Sequence, residues 1–391
     1  MATPVNDTYT VPAGQSINAG RSLSVAAPDA TGGTVAQLLA GWSGTGFQLL
    51  TTLPDLPIYD ASGHAGSAWD EGRQRLWIFG AETHGTAQTR NAIYCWDARD
   101  GLLKRQYAPD PCPGAYHISA DGFLYADAAN SRPWGMHAFR TLWFDAATKE
   151  VGVAYDAYDH ALWTPPYDAP AIDIESRKCP FWYYNTVTGK WRKQDSPAIT
   201  AYNRAGTGTA STRVPGDGWY RVNDAYIWHL SEDGTTRTVG NYSGKVPPLI
   251  QHFAHLVGRN IVQIGGYYDT PGSFLGSIHP LDDLAASRVL MVSAFPALAG
   301  WDVSNCWSAP MPDGRIVFGA QQTGTGQIGA FILDWNKTTP TVTDTGHRLG
   351  ITTSRTVDHY ELKAAWSATH NCAIFITNRM GAGEKVFGLR I

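Results

Sequence analysis

The sequence predicts an all-β propeller of four-stranded blades. Seven blades is the favoured reading and six the alternative, with the ring closed by an N-terminal strand. Three observations predict it. First, a hydrophobic strand ending in Asp, Asn or a similar polar residue runs repeatedly into a tight x-x-(Thr/Asp)-Gly turn. The copies are AIYCWDARDG, TLWFDAATK, FWYYNTVTGKW, AYIWHLSEDG and AFILDWNKTT. Their anchors Asp97, Asp145, Asn185 and His229 lie 48, 40 and 44 residues apart, the period of arrays built from short strands. Second, the 391 residues include 41 Gly and 23 Pro and are only 16% charged, which suits many short strands joined by turns. Third, the last repeat lacks one strand where the chain stops at Ile391, and FQLLTTLP (Phe47 to Pro54) stands unused before the first repeat.

Taken in order, residues 1–46 are expected as a docking arm or a strap, and 47–391 as the propeller. Within 1–46, PAGQSI and NAGRSL form a six-residue echo, ATGG follows, and TVAQLLAGW is expected as a short helix. FQLLTTLP is then an outer strand. With strands a to d counted from the axis outward, the first repeat is HAGSAWDEG, RQRLWIFGA, NAIYCWDARDG and LLKRQYAP. The second is AYHISADG, FLYADA, FRTLWFDAATK and EVGVAYD; the third is a compressed set of HALW, AIDIES, PFWYYNTVTG and KWRKQD. The fourth covers about 204–243, the fifth 249–295 and the sixth 301–346. The incomplete seventh supplies YELKAAWSATH, NCAIFITN and EKVFGLRI. An unpaired edge there would be an aggregation hazard, so the N-terminal strand is expected to fill it.

The segments SGHAGSAW, LWIFGA, IYCWDARDG, WYYNTVTGKW, NIVQIGG and RIVFGA give the repeats a resemblance to the kelch family. It covers about 55–391 and implies a propeller of six or seven blades. The family's glycine doublet survives at Gly265-Gly266 and is degenerate at Gly80-Ala81, Ala126-Asp127 and Gly319-Ala320. The arm and the polar Gly/Thr-rich composition loosely resemble bacteriophage virion proteins, meaning tail, fibre or capsid-attached components.

Strand parity assigns the d–a and b–c connections to one face, here the top, and the short a–b and c–d turns to the bottom. The top b–c loops are read as 82–91, 127–137, 214–223, 267–276 and 320–327. Long loops on one face of a rigid scaffold are where binding sits. They gather Arg132, Trp134, His137, Trp219, Tyr220, Arg221, Tyr267, Tyr268 and Asp269 as binding candidates. Trp and Tyr stack on sugars or anchor interfaces; packing between loops is the other reading. His64, His117, His160, His252 and His359 near the starts of a strands are candidates for the channel mouth. They form either a metal or anion site or the family's own hydrogen-bonded histidines, and the second reading is favoured, so no metal is expected. Trp69, Trp307 and Trp366 recur at equivalent a-strand positions and are expected in the core.

The formal net charge of -4 offers no basic stripe for nucleic acid. No apolar run is long enough to span a bilayer, and MATPVNDTYT lacks the features of a secretory signal. The five cysteines are scattered without a C-x-x-C, so a metal knuckle or redox pair is not expected. Cys95, Cys306 and Cys372 are expected as buried thiols. No G-x-S-x-G, H-E-x-x-H or P-loop occurs, and SEDGTT is a lone, partial echo of a sialidase Asp box at a c–d turn. The expectation is a non-catalytic structural or binding propeller without a cofactor. It would sit in a virion, attach to other assembly proteins through residues 1–46, and present its top loops to a host-surface glycan or protein. A carbohydrate-active enzyme using the top-face pocket and a cytoplasmic protein-interaction propeller are the alternatives.

Overall fold

The computed structural model describes residues 34–53, 66–80, 91–111, 117–120, 124–133, 135, 138, 142–154, 181–194, 210–223, 226–242, 253–265, 273–303, 307–352, 363–377 and 385–391. Helix α1 (Val35–Gly41) and strand β1 (Gly46–Thr52) come first. Blade 1 is β2 (Gly66–Asp70), β3 (Arg75–Phe79), β4 (Tyr94–Asp97) and β5 (Leu103–Arg105). A two-stranded hairpin of β6 (His117–Ile118) and β7 (Leu124–Tyr125) follows. Blade 2 is β8 (Leu142–Asp145), β9 (Glu150–Val153), β10 (Phe181–Asn185) and β11 (Lys190–Gln194). Blade 3 is β12 (Ala210–Val214), β13 (Gly218–Asn223), β14 (Tyr226–Ser231) and β15 (Arg237–Asn241). Blade 4 is β16 (Phe253–Val257), β17 (Asn260–Ile264), β18 (Phe274–Pro280) and β19 (Arg288–Met291). In blade 5 the inner edge is split into β20 (Trp301–Asp302) and β21 (Ser308–Pro310). Both pair with β22 (Ile316–Gln322), and β23 (Gln327–Asp334) and β24 (Thr341–Thr352) lie outside it. Blade 6 is β25 (Lys363–Ser367), β26 (Cys372–Thr377) and β27 (Lys385–Arg390), with β1 as its outer strand.

The ring therefore has six blades. Inner strands β2, β8, β12, β16, β21 and β25 lie side by side in that order, and β25 returns to β2. The expectation of seven is corrected here, and its cause is chemical. Asp97 Oδ1 accepts the Arg99 N–H, Asp145 Oδ1 accepts those of Ala147 and Thr148, and Asn185 Oδ1 accepts those of Val187 and Thr188. All three are Asx turns, but Asp97 and Asn185 close c–d hairpins whereas Asp145 closes an a–b hairpin. LWFD and EVGV, expected as the outer half of a second blade, are the inner half of blade 2, because β9 pairs directly with β10. HALW and AIDIES lie outside the described residues. AYHISADG and FLYADA contribute the small β6–β7 hairpin, which is not one of the six blades.

Blades 1, 5 and 6 pack on both faces, so their middle strands are buried nearly end to end and rich in apolar residues. Cys372 through Ile376 of β26 are fully buried. Ile374 and Ile376 face blade 1, while Ala373 and Phe375 face blade 5. Between blades 1 and 2 the contacts are aromatic: Trp77 meets Tyr184 at 5.7 Å and Phe79 meets Trp191 at 5.0 Å. Such pairs add about 0.5–1.5 kcal/mol each beyond the area they bury.

Strand β1 pairs with β27 from Gly46↔Arg390 to Thr52↔Lys385. This placement is consistent with the expected closure. Helix α1 opens with a capping box between Thr34 and Gln37 and buries Val35 and Leu39 beside Leu50, Leu53, Leu76 and Trp96. The Arg390 guanidinium ties the segment down. It donates to the carbonyls of Leu39, Trp42 and His370 and lies 4.7 Å over the Trp42 ring. Gly101, at φ +74°, makes room for this helix, since a Cβ there would come within 2.5 Å of Val35 Cγ2.

Candidate functional site

The inner strands of five blades line an open cavity of about 550 Å³ at the ring axis. It is lined by Trp69 of β2, Phe144 of β8, Phe253 and His255 of β16, Met311 after β21 and Trp366 of β25. The lining continues into the a–b turns at Glu71, Gly258, Pro312 and Ala368, so the cavity lies toward the bottom of the ring. Its volume falls within the usual range for small-molecule sites, about 300–1,000 Å³, and apolar lining with few polar groups is their usual composition.

The rim is held by hydrogen bonds that also join blades. Glu71 accepts from Trp69 Nε1 at 2.6 Å, Gln74 Nε2 at 2.9 Å, the Ala368 N–H at 3.2 Å, and the N–H and hydroxyl of Thr369 at 2.8 and 2.7 Å. Burial opposes ionisation of Glu71, but the donations from Trp69, Thr369 and Gln74 outweigh it and keep the carboxyl below its ordinary range. Arg73 Nη1 donates to Thr186 Oγ1 at 2.7 Å, joining blades 1 and 2. Arg213 bridges Asp145 of blade 2 and Glu232 of blade 3. Arg259 of blade 4 approaches Asp217 of blade 3 at 3.8 Å and Asp282 of its own blade at 2.6 Å. His255 Nε2 lies 2.8 Å from Ser308 Oγ, across blades 4 and 5. Exposed ion pairs contribute only about 0–1 kcal/mol each, so these contacts align turns more than they supply stability.

The indoles deeper in the ring pack over glycines. Trp143 covers Gly152 of the neighbouring strand, and Trp307 covers Gly319; a Cβ at either glycine would collide with the ring. Trp307 and Trp366 are buried, as expected of core residues, while Trp69 is half-buried and turned to the cavity. Cys95 and Cys372 are free and buried, and burial pushes each thiol up to about 12.

Of the residues singled out from sequence, the described ones, Arg132, Trp219, Tyr220, Arg221 and His117, do not converge on one site. Trp219, Tyr220 and Arg221 belong to β13, not to a top loop. PGDG is the a–b turn itself: the Asp217 N–H donates to the Val214 carbonyl at 3.0 Å, and Gly216 and Gly218 take positive φ. Trp219 is 2% exposed and stacks on Phe181 at 4.8 Å. Tyr220 stacks on His229 at 4.4 Å and its hydroxyl donates to Asp217 at 3.0 Å, while Arg221 is buried. The expected loop 320–327 is a tight turn between β22 and β23. Arg132 pairs with Asp110 at 3.0 Å and lies 4.6 Å over the Tyr107 ring. His117 sits on β6 rather than on an inner strand, with Nε2 2.7 Å from Asn130 Oδ1. Trp134, His137, Tyr267, Tyr268, Asp269, His64, His160, His252 and His359 lie outside the described residues.

Sequence reasoning passed over Glu71 and His255. Glu71 stands in DEGRQ, read only as a short turn. The recurrence of Trp69 and Trp366 was the signal that pointed to this part of the axis. Among the described residues, no three His, Cys, Asp or Glu side chains converge as metal ligands, and no helix is long and apolar enough to cross a membrane.

The chain matches no protein-family profile and no curated protein sequence. Among solved structures it is similar to an oligogalacturonate lyase in complex with manganese, at 12% identity and a TM-score of 0.38, over 83% of this chain and 88% of that chain.

Proposed function

We propose that this chain is a non-catalytic binding propeller that works inside a larger assembly, a virion component that attaches through residues 1–46 and presents its top loops to a partner or host-surface glycan. The observation that carries the reading is the inequality of the two faces. The a–b and c–d hairpins are closed by short turns and joined across blades by Glu71, Arg73, Arg213 and Arg259. The b–c connections include the two longest within the blades, 80–93 between β3 and β4 and 154–180 between β9 and β10. A stiffened face opposite the longest connections supports a scaffold that presents those connections. The segment before Thr34 reaches the ring through α1 and β1 at the outer edge of blade 6, which suits an attachment made at the rim.

Density-gradient fractions of particles from the source culture, probed with an antibody to the chain, test the reading. The full chain is expected to co-sediment with particles, and the chain starting at residue 34 to leave them while still folding. A chain found only outside particles overturns the virion reading. Release of sugar fragments from polysaccharides incubated with the purified protein would replace the non-catalytic reading with the enzymatic one.

A further inference from the structure

The axial cavity carries an inference that goes beyond display of the top loops. Its walls are aromatic and apolar: Trp69, Phe144, Phe253, Met311 and Trp366. Among the described residues lining it, Glu71 supplies a carboxylate, and none is Lys or Arg. The described donors to Glu71 are all neutral: an indole, a side-chain amide, two backbone N–H groups and a hydroxyl. They hold the carboxylate in place without cancelling its charge. The rim thus keeps a fixed negative charge at the N–H edge of the Trp69 indole, beside apolar walls supplied by five blades. Aromatic faces attract cations through the ring quadrupole, by about 0.5–1 kcal/mol when exposed and about 2 or more when desolvated.

We propose that this cavity binds a small organic cation of the alkylammonium type, its apolar substituents against Trp69, Phe144 and Trp366 and its charge toward Glu71. Sugars fit less well, because they need several free hydrogen-bonding side chains and the oxygens of Glu71 are already engaged. Simple metal cations fit less well, because the walls offer few oxygen ligands.

The test compares choline with 3,3-dimethyl-1-butanol, its neutral isostere. Both are titrated into the full chain at constant ionic strength and followed by tryptophan fluorescence and by calorimetry. Choline is expected to bind saturably and at least about tenfold more tightly than the alcohol. Glu71→Gln, checked for an unchanged melting curve, is expected to reduce that preference to near unity. Equal binding of the two compounds would mean an apolar pocket indifferent to charge, and would overturn the proposal. So would the absence of saturable choline binding, or a Glu71→Gln protein that keeps the preference. If Glu71→Gln fails to fold, the comparison of the two ligands on the unaltered protein still decides.

Discussion

Removing β1 from the chain separates a strap from a dispensable arm. The segment 34–53 buries Val35, Leu39, Leu50 and Leu53, each at 1% exposure or less. At about 1.5–3 kcal/mol for each fully buried aliphatic side chain, their loss is worth about 6–12 kcal/mol. The lost ladder from Gly46↔Arg390 to Thr52↔Lys385 adds to this. A whole domain is stable by only about 5–15 kcal/mol. A chain starting at residue 54 is therefore expected to lose its cooperative thermal transition, whereas one starting at residue 34 should melt as the full chain does. A milder version is Leu50→Ala, expected to cost about 2–5 kcal/mol. With an unfolding entropy of about 2.1 cal/mol/K per residue over 391 residues, each kcal/mol lowers Tm by about 1 °C. The shift should thus be about 2–6 °C. Circular dichroism melts and calorimetry measure both effects. If the chain starting at 54 melts within a degree or two of the full chain, β1 does not close the ring and the reasoning fails.

The remaining predictions concern the core. His279 is buried with Ser277 and Gln263, and burial depresses its pKa to about 3. A depressed folded-state value means that the unfolded chain takes up the proton first, so stability holds above about pH 6.5 and falls as pH drops toward 3. Urea melts at pH 7 and 4.5 should show a fall of a few kcal/mol that His279→Gln largely removes; an equal fall in both proteins would refute the assignment. Trp219→Ala should cost about 3–5 kcal/mol, seen as a drop in Tm, rather than leave the fold untouched as a loop-tip residue would. Cys95 and Cys372 should resist alkylation in the native protein and react on unfolding, as peptide mass spectrometry would show; fast native labelling of either would contradict its burial.

The fold was legible in the sequence wherever its cause was local. Runs such as CAIFIT and RIVFGA, and the Asx turns at Asp97, Asp145 and Asn185, identify strands and hairpins without any tertiary information. The number of blades was not legible, because the same turn chemistry closes an a–b hairpin at Asp145 and c–d hairpins at Asp97 and Asn185. A period counted on such turns counts bottom hairpins, and each blade has two. Only the lateral order of inner strands tells them apart, and that order is set by contacts between residues far apart in the chain.

The same distinction explains what happened to the candidate site. PGDG carries every local mark of a loop, yet two positive-φ glycines compress it into the a–b turn and send Trp219 into the interface with Phe181. Glu71 shows the converse. Its turn looks featureless in sequence, but the ring brings Ala368 and Thr369 of the last blade against it, nearly 300 residues away along the chain. Three of the five donations that hold this carboxylate beside Trp69 exist because blade 6 meets blade 1. Any disruption of that junction should therefore act on the cavity as well as on the ring, and loss of β1 should abolish choline binding even under conditions where some blades survive.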